Sequence, residues 1–135
     1  MTSGRSKLAS RGVKLVVHHP VLGVGVGGFK RAYADLAHLR GKEPKAAASH
    51  TTPITVAAET GVPGLLLLLA IAASALAAAF RRIRDGFDSN ARLAFGLALT
   101  AILVHSLFYN ALFEDPTFWA LLAFVALAGR AEEPA

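Results

Sequence analysis

The apolar positions of the chain fall into two long uncharged runs and one shorter run, all in its C-terminal part. Residues 61–80 hold no charged side chain. A helix of that length rises about 30 Å, the thickness of the hydrocarbon core of a bilayer. Residues 93–113 form a second uncharged run, and 117–129 a shorter one worth about 20 Å of helix. The pattern predicts membrane helices over 62–80 and 93–113, and a third, short one over 116–130.

The N-terminal part carries weaker helical patterns. Residues 5–19 fit a helix, although the valines near their end also suit a strand; we favour the helix, which Pro20 ends. Residues 29–40 place their large apolar side chains on one face of a second helix, with Gly41 as its stop.

A glycine-rich stretch, residues 21–29, lies between these two helices. Gly23, Gly25 and Gly28 spell the G-x-G-x-x-G fingerprint of dinucleotide-binding proteins, and Glu43 follows at the required distance. That fingerprint needs a complete βαβ unit, and no second strand precedes Glu43. We therefore interpret the stretch as a turn that lets the backbone pass close to another segment.

A third helix is predicted just before the first long apolar run. Thr52 suits its N-cap and Pro53 its first helical position. The sequence Gly61-Val62-Pro63-Gly64 predicts a break between this short helix and the apolar one that follows.

The excess positive charge lies entirely before the apolar runs. Up to Gly61 there are nine Lys and Arg against three Asp and Glu, and after it five against six. A basic segment beside a membrane suggests anionic partners such as lipid phosphates or a pyrophosphate-linked substrate. Aromatic residues are too scattered for a nucleic-acid surface, and without cysteine there is no thiolate chemistry.

The expected topology follows from the arginine-rich segment 81–92. A short loop with four arginines is predicted to be cytoplasmic by the positive-inside rule, which places residues 1–61 outside the cytoplasm. The basic residues of 1–61 point the other way, but long segments are translocated largely regardless of charge. The expected fold class is an all-α integral membrane protein, with a mostly helical extracytoplasmic segment followed by two to three transmembrane helices.

His50 and Glu59 are the candidates for chemistry at the membrane surface. His50 precedes the predicted N-cap, and helix N-termini attract anions. A neutral imidazole there can accept a proton from a hydroxyl that attacks an activated phosphate ester or acetal, although a lone loop histidine is more often simply exposed. Glu59 either orients a partner or faces water.

His105 and Tyr109 suggest a polar site inside the second membrane helix, although a hydrogen bond between packed helices is the favoured interpretation. His18 and His19 are adjacent and point apart, and no ligand set has the spacing of a metal site. We expect no metal and no cofactor.

Two motifs together resemble the bacterial O-antigen ligase/polymerase superfamily. Ser3-Gly4-Arg5 precedes the proline and glycine stretch HHPVLGVGVGGF, as an SGR element does in that family. His50-Thr51 is followed by nine residues and then Gly61-x-x-Gly64, the spacing of the family's histidine motif. Thr51 stands where the family has Asn, Ser or Gln, and Ala9 stands where it often has Trp.

The resemblance implies the large periplasmic loop and last membrane helices of a polytopic protein in the bacterial inner membrane. It implies transfer of a saccharide from an undecaprenyl-pyrophosphate carrier to an acceptor hydroxyl on a lipid core, a glycan or a protein, without a metal. Arg5 would bind the pyrophosphate, and His50 would act as a base or orient the acceptor. The further expected substrate contacts are Arg11, Thr51, Glu59, Gly61 and Gly64.

Three interpretations stay open at the level of sequence. The first two are a ligase and a polymerase of this superfamily, which differ in the acceptor. The third is a non-catalytic or truncated membrane protein whose basic segment binds anionic lipid. A chain that starts with a polar segment and has late membrane helices also suggests the C-terminal portion of a longer protein.

If Arg5 binds a pyrophosphate through both arms of its guanidinium, lysine cannot replace it, because an ammonium group lacks the planar pair of donors. We expect cells carrying Arg5→Lys at the native locus to lose most transfer product at unchanged protein level. Quantifying acceptor-linked glycan by mass spectrometry measures this. A normal rate of product formation with lysine would contradict the assignment.

Overall fold

The computed structural model describes residues 2–38, 48–80 and 87–130. The described residues form helices and turns without a β-strand, so the all-α prediction is confirmed for them. The helices are α1 (Thr2–His18), α2 (Phe29–Leu36), α3 (Thr52–Phe80), α4 (Phe87–Ser106) and α5 (Pro116–Arg130). The chain divides into two compact units, one of Met1–Leu68 with Ser106–Asn110 and one of Leu69–His105 with Ala111–Ala135.

The first unit has a small core built where α1, α2 and α3 meet. Leu15 of α1, Phe29 of α2 and Ala58 of α3 are buried against one another. Burial of a side chain the size of Phe29 contributes roughly 1.5–3 kcal/mol. The helical interpretation of residues 5–19 is confirmed by α1, which ends at His18. Its apolar face packs on this core.

α2 is shorter than predicted. The helix expected over 29–40 ends at Leu36, where the N–H of Ala37 donates to the carbonyl of Tyr33 at 2.9 Å. His38 then takes a left-handed conformation with φ 52°, which stops a helix in the way that a glycine commonly does. Gly41, the predicted stop, lies outside the described residues.

α3 contains the break predicted at the glycine and proline cluster. Gly61 has φ 75° and ψ −172°, a conformation that is essentially restricted to glycine. Pro63 follows in the first turn of the second half of α3, where a missing N–H costs nothing. The helix therefore consists of a polar half and an apolar half joined at Gly61.

Pro63 also leaves one carbonyl of α3 without its helical hydrogen-bond donor, and another segment supplies the donor. Because proline has no N–H, the carbonyl of Glu59 has no donor four residues later. The N–H of Gly25, in the glycine-rich turn (defined here as residues 19–28), donates to this carbonyl at 2.9 Å. The glycine-rich turn thus supplies a hydrogen bond that α3 lacks.

Two more backbone hydrogen bonds fix the turn on the break. The N–H of Val62 donates to the carbonyl of Pro20 at 2.7 Å. This leaves the carbonyl of Ala58 without its helical donor, and the N–H of Val24 takes that place at 2.9 Å. A Cβ atom on Gly23 would overlap the backbone of Glu59, which confirms that this stretch is a turn passing close to another segment.

The second unit corrects the predicted limits of the second membrane helix. α4 begins at Phe87 and ends at Ser106, whereas the sequence predicted a loop over 81–92 and a helix over 93–113. Arg92 explains the difference at the start, because its Nη2 donates to the carbonyl of Ala78 at 2.7 Å and the residue is buried within a helix pair. Residues 107–115 are turns, and 81–86 lie outside the described residues.

α5 has the bounds predicted for the third helix. The N–H of Thr117 donates to Oδ1 of Asp115 at 2.8 Å, so Asp115 caps the helix and Pro116 takes the first position. Within the unit, α5 packs on α4 through the rings of Phe95 and Phe124, whose centroids are 3.9 Å apart.

α3 is the one helix in the described ranges that is both long and apolar enough to cross a bilayer. Core helices of water-soluble proteins share this composition but are mostly buried, whereas only 11% of the apolar window of α3 is buried. The other apolar helices, Asn90–Ser106 and Pro116–Leu127, are shorter. The exposed apolar surface of α3 supports contact with lipid, and the number of crossings stays a prediction.

The conformation of Gly61 gives a testable consequence. Gly61→Ala combines backbone strain, typically 1–3 kcal/mol for a forbidden φ/ψ region, with overlap between the new Cβ and the carbonyl of Val21. We expect a clear fall in the thermal unfolding midpoint of the protein purified in detergent. Gly27→Ala is the matched control, since Gly27 has φ 74° but nothing within 4 Å of a Cβ. Equal midpoints for the two variants would contradict a role for the contact with the turn.

Candidate functional site

Ser49, Thr51 and Thr55 form a group of hydrogen-bonded hydroxyl residues at the N-terminus of α3. Ser49 and Thr55 are buried, and Thr51 is half-buried. The hydroxyl of Ser49 donates to the carbonyl of Thr51 at 2.9 Å and lies 2.9 Å from Oγ1 of Thr55. The N–H of Ser49 donates to the same Thr55 oxygen at 3.2 Å. We call Ser49, Thr51 and Thr55 the hydroxyl cluster.

The residues of the hydroxyl cluster lie on both sides of His50 in the sequence, and their hydrogen bonds fix its backbone. His50 has φ 66°, a left-handed conformation that histidine adopts more readily than most residues but still at some cost. Its side chain is exposed, and among the described residues its imidazole has no hydrogen-bond partner. The backbone at His50 is thus fixed by hydrogen bonds of its neighbours, and its imidazole is exposed in the part of the chain that the structure describes.

The predicted N-cap at Thr52 is wrong. The N–H of Thr55 donates to the carbonyl of Thr51 at 3.1 Å, so the helix is capped one residue earlier. The hydroxyl of Thr52 instead donates to the carbonyl of Tyr109 at 3.0 Å. This bond ties the segment Ser106–Asn110 to the start of α3 within the first unit.

Glu59 binds the protein itself. Its Oε1 accepts the N–H of Phe29 at 3.3 Å, at the N-terminus of α2, where Gly28 offers no side-chain cap. A carboxylate at this end of a helix also interacts favourably with the helix dipole. Glu59 was predicted either to orient a partner or to face water. In the structure its carboxylate has a partner, the backbone N–H of Phe29.

Arg11 lies in α1 beside the segment that carries His50. Its Nη1 donates to the hydroxyl of Tyr33 at 3.0 Å, and its guanidinium carbon lies 5.1 Å from the centre of that ring. A Cβ on the neighbouring Gly12 would come within 3.4 Å of Ser49. A half-buried arginine paired with a neutral hydroxyl keeps donors for an anion.

Arg5 is the fourth residue of α1. It is seven residues before Gly12, which corresponds to about 10 Å along a helix axis. The same helix therefore carries Arg5 and Arg11, and its Gly12 packs against Ile54 at the start of α3.

Gly61 and Gly64 have backbone roles in the structure. Gly61 makes the break in α3, and a Cβ on Gly64 would overlap the hydroxyl of Thr60. That hydroxyl donates to the carbonyl of Val56 at 2.7 Å. Both glycines thus allow the close packing that sets the break at the end of the polar half.

The predicted intramembrane pair does not share a helix. His105 lies in the last turn of α4, whereas Tyr109 lies beyond its end at Ser106. The backbone of Tyr109 binds Thr52, as described above. Within the ranges that the structure describes, no three His, Cys, Asp or Glu residues are grouped as a metal site would require.

Three residues of the site were not predicted from the sequence: Ser49, Thr55 and Tyr33. Ser49 and Thr55 are six residues apart, and only the left-handed turn at His50 brings their hydroxyl groups together. A signal was nonetheless present, because a Ser-His-Thr-Thr sequence before a proline concentrates side chains that compete with backbone hydrogen bonds. For Tyr33 the helical spacing indicated burial and gave no hint of Arg11.

Comparison with known proteins gives the family. The family model described as O-Antigen ligase matches residues 1–69, just over half of the 135 residues. No curated protein and no solved structure matches the chain. The match includes both motifs on which the resemblance was based and ends inside the apolar half of α3. The chain belongs to the O-antigen ligase family.

Proposed function

We propose that this chain carries part of the transfer site of a membrane glycosyltransferase of the O-antigen ligase/polymerase type. The donor is a saccharide on an undecaprenyl-pyrophosphate carrier, and the acceptor is a hydroxyl of a lipid core, a glycan or a protein. Residues 1–61 lie on the extracytoplasmic side of the bacterial inner membrane, and α3 enters the bilayer at Gly61. Membership of the family supports the class of function. The donor, the acceptor and the topology are what we propose beyond it.

The observation that carries the proposal is that His50 has an exposed side chain on a fixed backbone. Its imidazole is exposed and lacks a partner among the described residues, yet its backbone is fixed by buried hydroxyl groups on both sides. An imidazole whose main chain is held in place by hydrogen bonds is suited to accept a proton from a bound hydroxyl.

In the proposed reaction His50 removes the proton of the acceptor hydroxyl. The oxygen attacks the anomeric carbon of the donor sugar and forms the new glycosidic bond. The bond from that carbon to the pyrophosphate oxygen breaks, and its electron pair leaves with undecaprenyl pyrophosphate. The leaving group gains negative charge in this step, which nearby cations stabilise in the transition state.

Arg5 and Arg11 are the proposed cations. They share α1, whose Gly12 packs against Ile54 at the start of α3. Arg11 pairs with the neutral hydroxyl of Tyr33 and retains donors that fit phosphate oxygens. The polar half of α3 begins beside Gly12, the neighbour of Arg11, and the free N–H groups of a helix N-terminus favour an anion.

Ligase and polymerase functions differ in what accumulates when transfer fails. Without a ligase, long polymer stays on the lipid carrier; without a polymerase, single repeat units stay there. Mass analysis of lipid-linked glycan in a deletion strain therefore distinguishes them. The rival of another class, a membrane protein whose basic segment only holds anionic lipid, predicts no change in glycan at all.

His50→Asn tests the base directly, because asparagine also tolerates the left-handed backbone but is not a proton acceptor at neutral pH. We expect loss of about 10²–10⁴-fold in transfer rate, the usual contribution of a general base. The measurement is acceptor-linked glycan per molecule of membrane protein, with the substitution at the native locus.

The matched control for His50→Asn is His38→Asn. His38 is also an exposed histidine with positive φ, but it lies at the end of α2. We expect it to retain the normal rate. Full activity of His50→Asn would rule out the catalytic role and favour the lipid-binding alternative.

Ser49→Ala tests whether the hydroxyl cluster positions His50. Displacement of a catalytic group by about 1 Å can reduce a rate about 10²-fold, so we expect turnover per molecule to fall while the dependence on acceptor concentration is retained. Ser10→Ala is the control, since Ser10 is exposed and its hydroxyl donates to the carbonyl of Lys7 within its own helix. A fall in protein level with unchanged turnover per molecule would make the cluster purely structural.

A further inference from the structure

We infer that the glycine-rich turn is a second membrane contact, whose apolar tip inserts into the outer part of the bilayer beside the point where α3 enters it. The tip consists of Val21, Leu22 and Val26. The inference concerns lipid binding rather than transfer. It rests on the proposed entry of α3 into the bilayer at Gly61, but it does not depend on His50.

The tip exposes more of its apolar side chains than a water-facing turn normally would. Val21, Leu22 and Val26 are 66%, 82% and 87% exposed. Turns in water are usually built from polar residues, glycine and proline. Here every residue between Pro20 and Phe29 is glycine, valine or leucine. Exposed apolar side chains grouped in this way mark a surface that contacts lipid or protein.

The position of the tip favours lipid. Three backbone hydrogen bonds fix the turn on the break in α3, including the one from Val62 to the carbonyl of Pro20. Val62 is also the first residue of the apolar half, whose exposed side chains include Leu66 and Leu67. The turn that carries the tip is therefore fixed next to the start of a surface that supports lipid contact, and it cannot move away from it without breaking these bonds.

The residues on both sides of the tip suit the headgroup region. His18 and His19 precede it and are exposed, and Arg31 follows on α2 and is exposed too. Of these, Arg31 is the charged side chain, and an arginine near an apolar anchor interacts with anionic lipid phosphates, typically by about 1 kcal/mol. Polar imidazoles on one side of the tip and an arginine on the other are compatible with the headgroup region.

Part of the backbone beside the tip is already hydrogen-bonded within the protein. Gly25 and Gly27 have positive φ, and a Cβ on either would have nothing within 4 Å. The N–H of Gly28 donates to the carbonyl of Gly25 at 2.9 Å, and the N–H of Gly25 is already bonded to α3. Polar backbone groups at the base of the turn are thus paired within the protein, which lowers the cost of placing them near lipid.

Site-directed spin labelling measures this contact. These 135 residues contain no cysteine, so single cysteines at Leu22 and Val26 can carry a nitroxide once any cysteine elsewhere in the intact protein is replaced by serine. The protein is reconstituted in vesicles of phosphatidylethanolamine and phosphatidylglycerol. Collision rates of the nitroxide with oxygen, which concentrates in lipid, and with a water-soluble nickel chelate are then compared.

Two reference sites in the same unit calibrate the result. Leu67→Cys is exposed on the apolar half of α3 and represents lipid, and Ser10→Cys is exposed on α1 and represents water. We expect the oxygen-to-nickel collision ratio at Leu22→Cys and Val26→Cys to approach that of Leu67→Cys and to exceed that of Ser10→Cys several-fold.

Three outcomes would overturn the inference. A ratio like that of Ser10→Cys would place the tip in water. Low collision rates with both reagents would mean that protein covers the tip. A water-like ratio at Leu67→Cys would show that this part of α3 does not lie in the bilayer. None of these depends on transfer activity, so failure here and failure of His50→Asn to lose activity can be told apart.

Discussion

Three backbone hydrogen bonds between the glycine-rich turn and the break in α3 hold the first unit together. They exist because the helix is chemically incomplete at this point. Pro63 has no N–H to give to Glu59, and Val62 gives its own to Pro20. A helix end buried without partners would be costly, since each unpaired backbone group loses its hydrogen bond with water. The turn completes the helix, and only glycine at 23 and 61 allows the two backbones to approach.

The site is built on this junction through side chains that bind backbone. Glu59 reaches from the end of the polar half to the N-terminus of α2, which places Phe29 in the core and Tyr33 beside Arg11. At the other end of the polar half, the hydroxyl cluster sets the direction of His50. One short helical segment thus aligns the proposed base, one of the proposed cations and the entry into lipid, and each alignment depends on hydrogen bonds rather than on apolar packing alone.

Local signals in the sequence predicted the helices better than their ends. The break at Gly61 and the start of α5 followed from proline and glycine chemistry, which acts within a few residues. The predicted end of α2 and start of α4 were wrong because neither has a clear signal in the sequence. A histidine, rather than a glycine, adopts the left-handed conformation that ends α2, and Arg92 is buried in α4 through its hydrogen bond to Ala78. Charge indicated a loop where tertiary contact supports a helix.

The same distinction applies to the site. His50 and the two glycines were found from their spacing, and Arg11 was named without its partner. Ser49, Thr55 and Tyr33 escaped because their importance arises from contacts that span a turn or two separate helices. The role of Glu59 was undecided for the same reason, since its partner is an N–H thirty positions away in the chain.

The left-handed main chain at His50 narrows what evolution can place there. Branched and bulky residues are excluded by steric conflict, and glycine, asparagine, aspartate and histidine tolerate that region best. Of these four, only histidine combines the required geometry with a nitrogen that exchanges protons near neutrality. The backbone conformation and the proposed chemistry therefore favour the same amino acid independently, so few substitutions at position 50 would preserve the fold even without the proposed role in catalysis.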